Sequence, residues 1–343
     1  MLDALIVGGG PAGLAVAIGA ARAGLDVAVC ERRGGPVDKA CGEGLMPSAL
    51  SALHALGVDP PGHPIRGITY RQGPRQARAR FRRGDGRGVR RTVLHDCLRA
   101  GLPTNSVRWL DREITEIVPF ADHVEAGGVA ARYLVAADGL HSPIRRRLGL
   151  GETSSRPPRW GLRQHFAIAP WTDFVEVTWA EHAEAYVTPV AADCVGVAIL
   201  SSRRQPFPEQ LRAFPELAER LREVPAVSRV RGAGPLHQPV RSRVSGRALL
   251  AGDAAGYIDA LTGEGLAVSL LTGAALVQAL VDDEPLRYER DWRSISRPSR
   301  TITSSLLWSR RHPVLGRRIV PLAAMAPPLF RMAVNQLAGP ASN

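Results

Sequence analysis

The chain opens with a glycine-rich turn set between a short apolar run and an alanine-rich segment. Residues 3–7 form the apolar run, the motif Gly-Gly-Gly-Pro-Ala-Gly fills residues 8–13, and residues 14–23 read as a helix that Gly24 ends. A second apolar stretch over residues 26–30 leads to Glu31, eighteen residues after Gly13. Strand, turn, helix, strand and acid in this order predict a βαβ unit that binds a dinucleotide.

The glycines and the acid of such a unit each have a predicted role in binding the dinucleotide. Gly8 permits the tight turn, Gly10 lets the backbone approach a pyrophosphate, and Gly13 lets the helix and strand pack closely. The amino terminus of the helix then faces the phosphates. Glu31 is expected to accept hydrogen bonds from the adenosine ribose. This motif alone does not distinguish NAD from FAD.

Two later segments repeat the pattern of a buried strand that ends in an acid. Residues 133–137 are apolar and lead into Asp138-Gly139, and residues 248–251 lead into Gly252-Asp253. After the second acid, a Thr-Gly-Glu-Gly segment opens a long apolar helix that reaches about Val281. A carboxylate at a strand end can hold a ribityl chain, and a helix amino terminus stabilises an anionic reduced flavin.

With these three motifs in order, the sequence resembles the FAD-dependent superfamily of aromatic-ring hydroxylases and geranylgeranyl reductases. The resemblance implies that Arg91 lies near the FAD phosphates, that Asp138 ties the loop beside the pyrophosphate, and that Asp253 holds the ribityl chain. The predicted cofactor-binding residues are Gly8, Gly10, Pro11, Ala12, Gly13, Glu31, Arg32, Arg91, Asp138, Gly252, Asp253, Gly263, Glu264 and Gly265.

The predicted fold class is α/β. A Rossmann-type FAD-binding domain is expected in three segments, residues 1–64, 86–155 and 240–296, because each carries one of the motifs. Between them, residues 65–81 read as a strand pair and residues 160–201 alternate in the strand period, which predicts an inserted antiparallel β-sheet substrate domain over residues 65–85 and 156–239. Residues 208–223 read as one helix flanked by prolines, and residues 297–343 as a C-terminal helical tail.

One further segment, Cys-Gly-Glu-Gly at residues 41–44, is the most unusual local feature. It resembles the CGEGL segment of geranylgeranyl reductases, in which this loop lies at the flavin. The residue types alone leave other interpretations open, because Cys41 could be a small buried side chain and Glu43 a helix cap or surface acid. The predicted substrate or flavin face comprises Cys41, Gly42, Glu43, Gly44, Tyr186 and Pro189, and no side chain is assigned as catalytic because the flavin carries the chemistry.

Three functions are compatible with these predictions. An FAD-dependent monooxygenase that hydroxylates or epoxidises a hydrophobic aromatic or alkene substrate of the natural-product type is preferred. The reasons are that the chain is short, has no iron-sulphur cysteine pattern, and ends in prolines and arginines that could cap an apolar pocket. The alternatives are a geranylgeranyl-reductase-like enzyme that saturates isolated prenyl alkenes, and a flavoprotein that uses FAD structurally, such as a cyclase. The single GxGxxG motif is assigned to FAD, so no second Rossmann domain is predicted for NAD(P)H. NAD(P)H is therefore expected to bind only transiently, as the reductant.

Composition limits which binding partners and which cellular compartment can be predicted. The net charge is +12, but the arginines are spread from Arg22 to Arg331 without a nucleic-acid-reading motif, so nucleic acid is not predicted. Contact with a membrane surface or a carrier protein remains open. Four cysteines without a paired or zinc-like spacing predict no metal and a reducing compartment. The first residues leave no room for a signal peptide, which favours the cytoplasm. The sequence does not predict the oligomeric state.

Overall fold

A mostly parallel sheet forms the nucleotide-binding half of the computed structural model, which describes residues 1–103 and 106–339. Residues 340–343 of the expected C-terminal tail lie outside the described residues. The strands of this sheet, numbered along the chain, are β1 (Leu2–Val7), β2 (Val27–Cys30), β8 (Val107–Leu110), β9 (Ile117–Pro119), β10 (Val124–Ala126), β11 (Val129–Ala136), β17 (Val244–Ser245) and β18 (Ala248–Leu250). Their order is β17-β18-β11-β1-β2-β8, with β10 and β9 extending from β11. The neighbours in this row are parallel except β17 and β18.

Two helices that pack on this sheet meet through small residues. They are α1 (Pro11–Arg22) and α7 (Gly265–Val281). A Cβ added at Gly19 would lie 3.2 Å from a methyl of Val277, and one added at Gly273 would lie 3.4 Å from Val16. The glycines therefore let the two helices approach closely, which fixes α7 with its amino terminus beside the ends of the strands.

The second half is a seven-stranded sheet, assembled from two separate parts of the chain. Its order is Arg231–Ala233 (β16), Trp160–Phe166 (β12), Cys194–Ser201 (β15), Ala183–Ala191 (β14), Phe174–Trp179 (β13), Gly67–Gln72 (β5) and Arg75–Arg80 (β6). The expected antiparallel pairing holds for every neighbouring pair except β13 and β5, which run parallel. The exception arises because the β5–β6 hairpin comes from an earlier segment and joins the edge of the sheet.

A small three-stranded sheet lies between the two halves, in the order β3 (Gly44–Leu45), β7 (Gly86–Gly88) and β4 (His63–Ile65). A Cβ added at Gly88 would overlap the carbonyl oxygen of Pro189 in β14, at 1.6 Å. Because only glycine fits there, the residue-41–45 region is held close to the large sheet. The remaining helices before residue 222 are α2 (Pro47–Ala55), α3 (Arg91–Ala100), α4 (Pro143–Arg147), α5 (Phe207–Leu211) and α6 (Pro215–Arg220).

Two helical expectations differ from the structure. The single helix expected over residues 208–223 is two short helices, α5 and α6, because Pro215 cannot continue the hydrogen-bond ladder of α5. The expected boundary of the C-terminal tail at residue 297 falls inside α8 (Pro285–Arg311), which continues through Pro298. Three helices follow it, α9 (Pro313–Gly316), α10 (Ile319–Met325) and α11 (Pro327–Leu337). No described helix is both long and apolar enough to cross a bilayer.

Candidate functional site

The ends of three parallel strands place the motif residues at one edge of the nucleotide-binding sheet. Val7 at the end of β1 is in register with Cys30 on one side and Ala136 on the other. Since the carboxyl ends of parallel strands meet at one edge, the glycine turn, Glu31 and Asp138 line a common cleft. The first two motifs thus share one surface, whereas Gly252 and Asp253 of the third motif line a second cavity.

The glycines of the turn have different local geometries. Gly8 has a φ of +112°, and a Cβ there would lie 2.3 Å from the carbonyl oxygen of Ala137. At Gly13 a Cβ would lie 1.9 Å from the carbonyl oxygen of Gly8, so the start of α1 packs directly on the turn. Gly10 is different, because a Cβ there would meet only Arg91 Nη2, at 3.7 Å. The missing side chain of Gly10 therefore leaves space in the cleft rather than relieving a clash.

The start of α1 leaves its amide groups available to an anion. Gly10 is the N-cap and has no side chain to bond the first turn, and Pro11 and Ala12 follow in that turn. Backbone amides and the helix dipole at such an end favour negative charge. Ala12 also contacts the second acid motif, because a Cβ added at Gly252 would lie 2.6 Å from its methyl.

Glu31 is held in place by backbone amides. Its Oε2 accepts a hydrogen bond from the Gly9 amide at 3.0 Å, and its Oε1 accepts one from the Arg33 amide at 3.1 Å. The side chain is buried and borders the cleft. Arg32, by contrast, turns outward and forms an exposed ion pair with Glu113, 3.1 Å between Nη1 and Oε1. Arg32 therefore lies at the rim of the cleft, where screening by water weakens its charge.

Positive charge in the cleft comes partly from a residue that the sequence motifs do not include. Lys39 lines the cleft, and a Cβ added at Gly139 would lie 2.8 Å from its Nζ. Arg91, at the first position of α3, has its guanidinium beside Gly10. These two cations and the α1 terminus surround the place expected for the pyrophosphate. Lys39 had one signal in the sequence, since it is the single lysine among many arginines.

The two later acids differ in what they contact. Asp138 accepts a hydrogen bond from the Ile144 amide at 3.2 Å and so orders the start of α4, and burial raises the pKa of this carboxyl. The Asp253 backbone carbonyl accepts hydrogen bonds from the Gly256 amide at 3.2 Å and from Arg145 at 3.4 Å, but no described residue donates one to its carboxylate. Burial raises its pKa, while the positive charges of Arg91 and Lys39 oppose that shift. The Asp253 carboxylate, without a protein donor, lines a cavity at the start of α7 and fits the ribityl hydroxyls of FAD.

The loop of residues 41–44 is tied to both halves of the molecule through Glu43. This residue is 2% exposed and adopts a φ of +59°. Its Oε1 accepts a hydrogen bond from the Arg91 amide at 2.8 Å, and its Oε2 lies 2.6 Å from His165 Nε2 on β12. Glu43 is therefore not a surface acid, and its carboxylate caps the first amide of α3 from a distant part of the chain. It is a buried tie between α3 and the large sheet.

The rest of this loop is also anchored. Thr188 donates a hydrogen bond to the Gly42 carbonyl at 2.8 Å, and the Glu43 amide donates to Cys41 Sγ at 3.4 Å. Burial raises the pKa of the Cys41 thiol. No atom lies within 4 Å of a Cβ added at Gly42, so the face of the loop at that residue is open. Sequence patterns missed His165 and Thr188, because neither belongs to a motif.

The Thr-Gly-Glu-Gly segment before α7 lies beside Met46, and β14 contacts the residue that precedes it. A Cβ added at Gly263 would lie 3.8 Å from Met46 Cε, and Tyr186 donates a hydrogen bond to the Leu261 carbonyl at 2.7 Å. Glu264 turns the other way, into a separate cavity between α7 and α8. Burial raises the pKa of Glu264 to about 8. The structure thus places Gly263 beside Met46, whereas Gly265 contacts Tyr257 and lines the same cavity as Glu264.

A buried ion network lies beside Tyr186 and was not predicted. Arg159 donates to Glu184 Oε2 at 2.6 Å and to Asp259 Oδ2 at 2.9 Å, and Arg310 Nε lies 2.7 Å from Glu184 Oε1. Glu184 is fully buried. The network joins β14, the Asp259 loop and α8, so it holds the large sheet against the FAD-binding half. Among the described residues, no group of three or more His, Cys, Asp or Glu side chains could hold a metal ion.

The fold and cleft together define a Rossmann-type FAD-binding flavoprotein. The FAD binding domain family matches residues 1–63 and 111–283, and the chain belongs to that family. It is an FAD-dependent oxidoreductase, which confirms the family resemblance, the fold class and the FAD prediction.

Several proteins are similar over different shares of the chain. A menaquinone reductase of Mycobacterium tuberculosis is 31% identical, covering 85% of this chain and 79% of its own. A digeranylgeranylglycerophospholipid reductase of Methanopyrus kandleri is 27% identical, covering 84% and 82%. A 3-(3-hydroxy-phenyl)propionate/3-hydroxycinnamic acid hydroxylase of Mycobacterium is 31% identical, covering 46% and 31%. A flavoprotein/dehydrogenase of Cytophaga hutchinsonii has the same fold, with a TM-score of 0.82 at 19% identity, covering 98% and 92%.

Proposed function

We propose that this enzyme is an FAD-dependent reductase that saturates a carbon–carbon double bond in a hydrophobic, prenyl-type substrate. The observation that carries the proposal is the anchored Cys-Gly-Glu-Gly loop, in which Gly42 faces open space while Glu43 is locked by two buried hydrogen bonds. Two relatives named as reductases align with most of the chain, whereas the hydroxylase aligns with less than half. This reverses the preference for oxygenation that the sequence alone favoured.

The protein residues act mainly by binding and positioning. Bound FAD supplies the hydride chemistry, with NAD(P)H proposed as the source of the electron pair. Lys39, Arg91 and the α1 terminus would hold the diphosphate, and Asp253 the ribityl hydroxyls. An apolar cluster containing Met46, Tyr186 and Leu261 borders the loop, so a hydrophobic chain that reaches it would contact mainly apolar side chains. The free cysteines fit a reducing compartment such as the cytoplasm.

Oxygenation is the second candidate, because the hydroxylase relative shares part of the FAD-binding half. The two reactions differ in the reactants that they consume and in the atoms that they add to the substrate. Reduction consumes NAD(P)H and a proton and adds two hydrogen atoms to the alkene. Oxygenation consumes O₂ as well and adds one oxygen atom. Oxygen dependence and product mass therefore distinguish them directly.

The test uses the FAD-loaded protein under argon and in air, with menaquinone and a geranylgeranyl phospholipid as probes. We expect the probe to reoxidise the dithionite-reduced flavin under argon and to gain two hydrogen atoms in its prenyl chain, which fragmentation in the mass spectrometer distinguishes from reduction of the quinone ring. Gly42→Val should retain FAD and lose most of this turnover, because a branched side chain would fill the open face. Gly35→Val is the matched control, since a Cβ there also meets no atom within 4 Å. Product that forms only in air, with one added oxygen, would refute the reductase proposal in favour of oxygenation.

A further inference from the structure

The distribution of acidic residues is uneven along the chain. No Asp or Glu follows Asp291, whereas eight arginines do. Arginines are spread along the whole sequence, so the excess of positive charge in this segment arises because it has no acidic residues. Most of this segment folds as the end of α8 and helices α9 to α11. A helical region with many cations and no anions attracts a negatively charged surface and does not neutralise itself.

The same helices expose large apolar side chains. On α10, Leu322 is 55% and Met325 81% exposed, and on α11, Leu329 is 63% and Met332 60% exposed. In each helix the two residues are three apart and therefore lie on one face. The buried residues, Val320 on α10 and Phe330 and Val334 on α11, lie on the other face. Both helices are thus apolar on two sides, one of which has no partner among the described residues.

The exposed pairs share a direction. Helices α10 and α11 both pack on β6 at the edge of the large sheet, so the sides opposite their buried residues turn away from that sheet together. Arg317, Arg318 and Arg331 are exposed within the same segment. One of them has an acidic neighbour from another element, since Arg317 Nη2 lies 3.6 Å from Glu181. We call Leu322, Met325, Leu329 and Met332, with these three arginines, the C-terminal face.

We propose that the C-terminal face docks on the surface of an anionic lipid bilayer. Apolar side chains on a helix can enter the boundary between headgroups and acyl chains, while arginines stay at the level of the phosphates. Each arginine near an anionic surface adds attraction that salt weakens. A bilayer is favoured over a second copy of the chain because two such faces would bring six arginines together, of which only each Arg317 has an acidic neighbour among the described residues.

This surface also connects to the candidate site. Phe330 and Val320, on the buried side of the same helices, belong to the apolar cluster that contains Tyr186 and Met46. A lipid drawn from the bilayer would therefore approach the flavin loop along apolar side chains. The docking proposal rests on charge and exposure and does not require the reductase activity proposed above.

The test is flotation of the FAD-loaded protein with phosphatidylcholine vesicles that contain phosphatidylglycerol, and with phosphatidylcholine vesicles alone. We expect binding to the anionic vesicles that decreases as salt is raised. The double variant Met325→Glu/Leu329→Glu should bind roughly tenfold more weakly, because it places acids where apolar contact is needed. Arg317→Gln/Arg318→Gln should weaken binding to the anionic vesicles specifically. Leu286→Glu is the control, since Leu286 is 73% exposed at the far end of α8, next to acidic residues.

Three results would overturn the proposal. The first is wild-type protein that does not float with anionic vesicles. The second is binding that the Met325→Glu/Leu329→Glu variant retains, or that Leu286→Glu reduces equally. The third is a stable dimer in sedimentation velocity that this double variant dissociates, without vesicle binding, which would identify the face as a contact between copies. FAD content and the far-ultraviolet circular dichroism spectrum verify that each variant is folded, and none of these measurements depends on turnover.

Discussion

Removal of the Glu43 carboxylate should destabilise the protein strongly, because this one side chain joins its two halves. Glu43→Ala breaks two buried hydrogen bonds, of 2.8 Å to the Arg91 amide and 2.6 Å to His165. A hydrogen bond to a charged group contributes about 1.5–3 kcal/mol, and its loss leaves the partner unsatisfied. We therefore expect the free energy of unfolding to fall by about 4 kcal/mol, close to the cost of breaking a buried ion pair.

The backbone at residue 43 provides an internal check. Its φ of +59° disfavours any residue with a Cβ, by roughly 1–2 kcal/mol relative to glycine. Glu43→Gly removes the same contacts as Glu43→Ala but relieves this strain, so it should be about 1 kcal/mol more stable than the alanine variant. Glu43→Gln keeps an acceptor for the Arg91 amide and should lose only about 1 kcal/mol.

The assay is urea unfolding of the FAD-loaded variants, followed by far-ultraviolet circular dichroism. Glu219→Ala is the control, because Glu219 pairs with Arg222 on an exposed surface and such pairs contribute at most about 1 kcal/mol. If the free energy of unfolding of Glu43→Ala is within about 1 kcal/mol of the wild-type value, Glu43 does not hold the two halves together. A Glu43→Gly protein less stable than Glu43→Ala would refute the argument from backbone strain.

Three other predictions address the cleft and the second cavity. Burial raises the pKa of Glu264 to about 8 from an ordinary value of 4.5. Between these two pH values the folded protein keeps a proton on Glu264 that the unfolded chain has released, so the free energy of unfolding falls as the pH rises through this range. Glu264→Gln should flatten that fall in urea midpoints measured from pH 5 to pH 8, and an unchanged slope would contradict the assignment. Gly10→Ala should fold normally but bind FAD weakly, whereas Gly8→Ala should lose stability because its Cβ would lie 2.3 Å from the Ala137 carbonyl oxygen. Equal thermal stability of the two variants would show that the glycines do not differ. Asp253→Ala should weaken FAD binding by about 1–3 kcal/mol in dilution fluorescence, and full occupancy on dilution would exclude its role.

Local chemistry made much of the architecture predictable. The turn at Gly8 needs a left-handed φ, the run after it has helical composition, and buried parallel strands are short and apolar, so these elements are readable from a few adjacent residues. The strand period likewise predicted the large sheet over residues 160–201. The same local logic failed at residues 208–223, where Pro215 interrupts the helix because it has no amide to donate.

Contacts between distant residues were decided only by the tertiary structure. The Glu43 and His165 side chains are 122 positions apart, and Arg159 reaches Asp259 across 100 positions. Neither pair has a local signature, because a buried carboxylate is stable only where the fold supplies its donors. The directions of side chains are equally non-local. Lys39 faces the cleft, whereas Glu264, within a recognised motif, turns into a different cavity. Sequence specifies these residue types and their spacing, but packing of the two sheets decides which polar groups meet, since burial makes each unpaired group costly.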